Sequence, residues 1–187
     1  MKVKYLQLIF LSFVILFVFQ NVSAQSKQPK NVREYFMLLP QTYFAIESCN
    51  TDIVKDCRPY KVEYLKSNLR IEDTKNGYLE GDGDGSQEHF KMALFKRPNG
   101  SHIIGLYVFG EWGEKYYFLE YKNRRWINVS KSVVPNYRRS NIYEMPRYGT
   151  TVEVYERKNF DPEYDFGEQG RKLYSLVWKN GKFSVKK

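Results

Sequence analysis

Apolar side chains alternate with polar ones, or fill both sides of short runs, throughout residues 89–129. This pattern predicts β-strands, because a helix would need apolar spacings of three and four. The strands fall at 90–95, 102–109, 116–121 and 126–129, separated by turn segments rich in Gly and Asn. The run 102–109 is apolar on both faces, as expected of a strand covered on both sides. We therefore predict an antiparallel meander around which the rest of the chain is arranged.

The flanking segments predict further strands and one helix. Asn31 is the expected N-cap, and Pro40 ends the pattern. The apolar stripe between them consists of Val32, Tyr35, Phe36 and Leu39. Further strand patterns occur at 69–73, 77–81, 151–157, 171–178 and 182–185, whereas 130–146 and 159–170 have the composition of irregular segments, the first partly helical. The fold class expected is α+β, β-dominated: an antiparallel β-meander sheet of about eight or nine strands with one short N-terminal helix packed on it.

Residues 1–24 have the organisation of a cleaved signal peptide. Lys2 and Lys4 precede an apolar segment at 5–19, which is shorter than the roughly 20 residues of a membrane span. The small residues at 22–24 suit a cleavage site, and the alternative is an uncleaved anchor. We therefore predict a soluble exported protein, periplasmic or extracellular.

The expected mature chain consists of a disordered leader at 25–30 and a single β-rich domain at 31–187, with no further transmembrane segment. Its formal charge falls from +9 to +7, because the signal holds two lysines and no acidic residue. A basic surface favours anionic partners such as acidic glycans or anionic lipid, and export argues against nucleic acid. The alternative is that the charge serves solubility alone.

Cys49 and Cys57 are the only cysteines, and in an exported chain they are expected to form a disulfide. Their spacing fits neither a redox motif nor a zinc site. The acidic, glycine-rich segment 80–88 is a weaker candidate for a metal site. Asp82, Asp84 and Glu88 offer oxygen donors of the kind that Ca²⁺ prefers, although the segment lacks the EF-hand pattern and also suits a polar turn. No other cofactor is indicated.

Catalytic signatures are missing from the sequence. It contains no Gly-x-Ser-x-Gly elbow, phosphate loop or dinucleotide fingerprint. If the hairpin between them pairs simply, His89 and His102 could lie near each other and form a metal or acid–base site. The alternative is that both are partly exposed strand residues at the turn end. A carboxylate pair for hydrolysis cannot be selected from the sequence. We therefore expect a protein that is not an enzyme, while leaving a hydrolase open.

Aromatic residues make up 17% of the chain, and four of them are candidates for ligand binding. Trp112 lies in a turn, where it is expected to be exposed or to fold back over the sheet edge. With Tyr116, Tyr117 and Trp126 it could form a stacking platform for a sugar or an anchor for a protein. Arg138 and Arg139 are the corresponding basic candidates, with a solvated face as the alternative.

Three features together resemble small β-rich secreted bacterial domains of unknown function. These are the helix ending in Leu-Leu-Pro, the Asn-Gly-Tyr-Leu hairpin at 76–79 and the meander ending in Trp-Ile-Asn-Val. The resemblance covers residues 32–130 and implies no catalytic residues. The function expected is thus an exported non-enzymatic binding module for a glycan or cell-envelope component. The alternatives are a protein-interaction or inhibitor domain, and a hydrolase with an unrecognised carboxylate site.

Overall fold

A computed structural model describes residues 28–46, 48–49, 53–83 and 89–186, and in them the chain forms two antiparallel sheets. The predicted signal peptide at 1–24 lies outside the described residues. Of the predicted leader, residues 28–30 are described and have no regular secondary structure.

The first sheet contains six strands in chain order, each antiparallel to the next. Four of them form the meander predicted within 89–129. The strands are β1 (Leu69–Asp73), β2 (Tyr78–Gly81), β3 (His89–Lys96), β4 (His102–Gly110), β5 (Gly113–Lys122) and β6 (Arg125–Asn128).

The second sheet contains four strands in the order β10-β9-β8-β7, so the prediction of one sheet with eight or nine strands is wrong. The chain leaves the first sheet after β6, where the Ser130 hydroxyl accepts a 2.9 Å hydrogen bond from the Phe118 N–H. That bond holds the start of the connection to the second sheet against the edge of β5. The four strands are β7 (Asn141–Glu144), β8 (Thr151–Asp161), β9 (Phe166–Lys179) and β10 (Lys182–Lys186).

Two sequence interpretations in this half need correction. The segment 159–170, expected to be a loop, belongs mostly to the ends of β8 and β9, which leave only a short turn at 162–165. The segment 130–146 contains β7, which the sequence pattern did not reveal. The predicted hairpin about Asn180 is confirmed as the β9–β10 pair.

Three helices accompany the sheets in the described residues: α1 (Val32–Leu38), α2 (Arg58–Asn68) and α3 (Ser130–Val133). Helix α1 confirms the predicted N-terminal helix, and the Asn31 side chain caps it by accepting a 2.9 Å hydrogen bond from the Glu34 N–H. Helix α2 was not predicted, because its buried face contains Lys61 where an apolar residue would be expected.

The first sheet lies between two apolar cores. On one face Phe90, Met92 and Leu106 pack with α1 and α2. On the other face Phe95, Ile103 and Phe118, among others, pack against the second sheet. This arrangement confirms that β4 is covered on both sides, as its doubly apolar pattern predicted.

Cys49 and Cys57 form the predicted disulfide, which closes the segment before α2. The amide of Gln41 braces this segment by donating a 3.1 Å hydrogen bond to the Cys49 carbonyl. Among the described residues, no helix has the length and apolar character needed to cross a membrane.

Candidate functional site

A cleft of about 650 Å³ opens beside the N-terminal half of β5. It exists because the four-residue strand β6 pairs only with the part of β5 from Leu119 to Lys122. The other half of that edge is left to the segment around α3 and to the turn at 162–165. We call this the basic cleft; its lining residues are Glu114, Lys115, Tyr116, Tyr117, Asn128, Lys131, Tyr137, Arg139 and Asp165.

Two side chains fix the walls of the basic cleft. The Tyr137 hydroxyl donates a 2.6 Å hydrogen bond to the Tyr116 carbonyl on the edge of β5. The Arg139 guanidinium donates hydrogen bonds to both carboxylate oxygens of Asp165. It also donates a 2.8 Å hydrogen bond from Nη2 to the Pro162 carbonyl. Such two-point guanidinium pairs are geometrically specific. The cleft is therefore held in shape before any ligand enters.

The basic cleft has an excess of positive charge. Its two acidic residues are already engaged, Asp165 with Arg139 and Glu114 with the neighbouring Arg157. Within the described residues, Lys115 and Lys131 have no carboxylate within 4.0 Å. Two ammonium groups thus remain available to pair with an anionic ligand.

A smaller cleft of about 200 Å³ lies between the sheets. Its walls include Lys91, Tyr107 and Gln169, and it shares Glu114 and Tyr116 with the basic cleft. We call it the inner cleft. Glu114 thus belongs to the lining of both clefts, and its carboxylate accepts 3.3 Å hydrogen bonds from the hydroxyls of Tyr107 and Tyr116.

Three tyrosine hydroxyls of the two clefts keep their protons at neutral pH. Burial, together with the negative charge of Glu114, raises the pKa of Tyr107 and of Tyr116. Burial also raises the pKa of Tyr137. All three therefore remain hydrogen-bond donors towards a carboxylate or a ligand oxygen.

The structure brings together three of the six predicted ligand-binding residues. Tyr116, Tyr117 and Arg139 line the basic cleft, although the Tyr116 ring is mostly buried and the Tyr117 ring packs against Tyr43 with centroids 5.1 Å apart. Arg138 adjoins Arg139, but its side chain is not part of the lining.

The other two predicted residues lie apart from the basic cleft. Trp112 is 61% exposed in the β4–β5 turn, which packs against the turn at 162–165. Trp126 lies on the helix-facing side of the first sheet, where its ring packs against Tyr35 and Tyr121. The four aromatic residues therefore do not form one continuous platform.

The predicted metal ligands fall partly outside the described residues, which include Asp82 but neither Asp84 nor Glu88. The Asp82 carboxylate accepts a 3.4 Å hydrogen bond from Arg70 and lies 3.3 Å from His89 Nδ1. In the described part of the chain no group of three His, Cys, Asp or Glu residues could hold a metal ion.

The suggested pairing of His89 with His102 is wrong. His89 pairs across β3 and β4 with Phe109, whereas His102 pairs with Lys96. The two histidines therefore occupy opposite ends of this hairpin, since register rather than sequence distance sets cross-strand neighbours.

Several residues of the site were not predicted from the sequence. Lys115, Lys131 and Tyr137 are ordinary surface types that only the short β6 brings together. Arg157 continues a strand whose alternation would point it outwards, but the register shifts between Tyr155 and Arg157 and turns it into the interior. No signal in the sequence reveals that bulge.

The chain matches no protein-family model, and no curated protein or solved structure is significantly similar to it.

Proposed function

We propose that this protein is an exported, non-enzymatic binding module whose ligand is a glycan or another cell-envelope component with acidic groups, held in the basic cleft. One arrangement carries the proposal: Tyr117 and Tyr137 line the same cleft as Lys115 and Lys131. Aromatic rings offer large, rigid faces for the apolar side of a sugar. Lysines supply the charge that a carboxylate, sulfate or phosphate requires.

The size and stiffness of the cleft support the same proposal. Its volume of about 650 Å³ falls within the range of roughly 300–1,000 Å³ typical of small-ligand sites. The Arg139–Asp165 pair and the Tyr137 hydrogen bond hold its walls, so that little ordering accompanies binding. Export is proposed from the sequence pattern of residues 1–24, and the disulfide is compatible with an oxidising compartment.

Isothermal titration calorimetry with matched oligosaccharides tests the proposal. Uronic-acid and sulfated oligomers should bind, neutral oligomers of equal length should bind more weakly, and added salt should weaken the acidic ligands by screening. The double variant Lys115→Gln/Lys131→Gln should lower the affinity for acidic oligomers by about 2- to 30-fold, the range for losing two exposed ion pairs.

The matched control is Lys179→Gln/Lys182→Gln, which removes the same charge from the β9–β10 hairpin. That turn packs near Arg97 in the β3–β4 turn, at the far end of β4 from the basic cleft. The control should bind like the wild type. Equal losses of affinity in both double variants would show that the effect comes from overall charge and not from the basic cleft, which would contradict the proposal. Equal affinity for neutral and acidic oligomers would also contradict it.

A protein-interaction domain is the second candidate, favoured by one observation. Four exposed aromatic residues border the β4–β5 turn and the neighbouring 162–165 turn; we call them the aromatic rim, and they are Phe109, Trp112, Tyr164 and Phe166. The rings of Phe109 and Phe166 touch edge to face, with centroids 6.3 Å apart. Exposed clusters of aromatic residues often anchor protein partners.

A further inference from the structure

Arg157 is a fully buried cation that is only half satisfied. Its Nη1 donates hydrogen bonds to the Asp165 carbonyl at 2.6 Å and to the Glu114 carbonyl at 3.3 Å. The guanidinium lies 5.4 Å from the ring centroids of both Tyr116 and Phe160. In contrast, Nε and Nη2 have no hydrogen-bond acceptor among the described residues. Buried guanidinium donors without acceptors are costly, so this arrangement requires an explanation.

The two unsatisfied nitrogens form one edge of the guanidinium. Nε and Nη2 point their N–H groups in parallel, the geometry that grips a carboxylate, sulfate or phosphate with two hydrogen bonds. An acidic oxygen, Glu114 Oε2, lies 3.5 Å from Nη2. At that distance the charges attract each other, but the two parallel hydrogen bonds are not made.

The Glu114 carboxylate is held loosely at this position. Its contacts with Tyr107, Tyr116 and Arg157 are all 3.3 Å or longer, whereas charge-assisted hydrogen bonds are usually about 2.5–2.9 Å. Its side chain keeps 23% of its exposure, and Glu114 is among the lining residues of both the basic cleft and the inner cleft. The carboxylate therefore stands between solvent and three buried donors.

We propose that Tyr107, Tyr116 and Arg157 form an anion receptor, and that the acidic group of the bound ligand displaces the Glu114 carboxylate from it. A carboxylate, a sulfate and a phosphate share the required chemistry. The identity of the molecule bearing the acid rests on the proposed function, whereas the receptor itself does not. Lys91, Lys115 and Lys131 line the two clefts and favour an entering anion, while Glu144 opposes it and Asp165 is neutralised by Arg139.

NMR of the purified protein labelled with ¹⁵N-arginine tests the receptor directly. The buried Nε–H of Arg157 should give a separate signal, assigned by its loss in Arg157→Lys or by its proximity to the Tyr116 ring. Glucuronate, sulfate and phosphate are titrated separately against chloride at constant ionic strength. At least one of them should shift the Arg157 signal saturably, and the comparison distinguishes the three acids.

Glu114→Gln provides the quantitative arm of the test and avoids the risk that an Arg157 variant fails to fold. Without the competing Glu114 carboxylate, the affinity for the anion that shifts the Arg157 signal should rise by about fivefold or more, because no side-chain carboxylate then occupies the receptor. The matched control is Glu120→Gln on the same strand, whose carboxylate instead pairs with Arg97 at 2.6 Å. It should leave the affinity unchanged.

The outcomes separate this inference from the proposed function. If no anion shifts the Arg157 signal and Glu114→Gln leaves the affinity unchanged, the proposed receptor is overturned and Arg157 has a structural role. That result would overturn it even if acidic oligosaccharides bind the basic cleft, in which case the proposed function stands. A saturable shift by a small anion without any oligosaccharide binding would support the receptor and contradict the glycan ligand.

Discussion

The indole N–H of Trp126 donates a 2.8 Å hydrogen bond to the carbonyl of Leu38, the last residue of α1. Helix carbonyls at this end lack partners within the helix, so the indole satisfies one of them. The ring also packs against Tyr35 on α1 and Tyr121 on β5. Trp126 therefore joins the N-terminal helix to the edge strand β6.

We expect Trp126→Phe to lower the free energy of unfolding by about 1 kcal/mol, the usual net value of one hydrogen bond. Binding of acidic oligosaccharides should not change, because Trp126 does not line the basic cleft. Urea unfolding and calorimetry measure the two effects. Tyr121→Phe is the control, since it removes a hydroxyl from the adjacent ring and should change stability by less than about 0.5 kcal/mol. Lost binding in Trp126→Phe would restore this residue to the ligand site.

The local elements of the fold could be predicted from sequence because their signals are local. Helix α1 follows from its apolar stripe and its Asn31 cap, and the hairpins follow from turns such as Asn180-Gly181. The position of β4 between two cores follows from apolar residues on both of its faces. Each of these features depends on residues close together in the chain.

The arrangement of the sheets and the site depends on long-range contacts, which the sequence pattern does not encode. The strands after β6 pair with one another rather than with the first sheet, and α2 is concealed by its buried Lys61. The bulge before Arg157 turns the side chain of this residue from the outer to the inner face of β8. Tyr116, Tyr117 and Arg139 could be named in advance, but the cleft that unites them arises from the short length of β6.

Lys61 should make stability depend on pH in the alkaline range. Its ammonium group donates to the carbonyls of Phe36, Met37 and Leu39 at the end of α1, and burial lowers its pKa to about 8. The unfolded chain keeps a pKa of about 10.4, so it binds more protons than the folded chain between these values. The contribution of Lys61 to stability therefore rises with pH across this window and is constant below pH 8.

The variant Lys61→Met removes this titration. The unfolding free energy of the wild type minus that of the variant should grow by about 1.4 kcal/mol per pH unit above pH 8. Urea unfolding of both proteins at pH 7, 8.5 and 9.5 would measure it, and the tyrosine titrations common to both cancel in the difference. A constant difference over this range would show that the Lys61 pKa is not lowered.

The disulfide should stabilise the segment that contains Phe44 and Ile46, which belong to the core between the first sheet and helices α1 and α2. Replacing Cys49 and Cys57 by Ser should lower the unfolding free energy by about 2.5 kcal/mol, since the unfolded chain loses a short closed loop. Adding dithiothreitol to the wild type should produce a similar loss and should leave the double variant unaffected. Insensitivity of the wild type to reduction would contradict the prediction.

Trp112→Ala distinguishes the two proposed functions. Because Trp112 is largely exposed, its removal should change the unfolding free energy by less than about 0.5 kcal/mol. Acidic oligosaccharides should bind unchanged if the basic cleft is the site, since Trp112 does not line it. Tyr148→Ala, a similarly exposed aromatic residue outside the aromatic rim, is the control. Loss of a captured protein partner in Trp112→Ala alone would favour the second candidate.

Gly113 couples the β4–β5 turn to the turn that carries Asp165. Its φ of +86° is unfavourable for other residues, and a Cβ there would lie 1.8 Å from the Tyr164 carbonyl. Gly100 has a similar φ of +83° in the β3–β4 turn, but a Cβ there would meet nothing within 4 Å. Comparing substitutions at Gly113 and Gly100 therefore separates the cost of backbone strain from the cost of disturbing the contact between the two turns.

Gly100→Ala should cost about 1–2 kcal/mol of unfolding free energy, the penalty for a left-handed conformation. Gly113→Ala should cost at least about 2 kcal/mol more, because the added methyl group must push the 162–165 turn away. The displaced turn carries Asp165, whose carbonyl accepts from Glu114 N and Arg157 Nη1, so affinity for acidic oligosaccharides should also fall. Urea unfolding and calorimetry of the two variants measure both effects. If Gly113→Ala were as stable as Gly100→Ala and bound ligand normally, the two turns would not be coupled and the basic cleft would not depend on their contact.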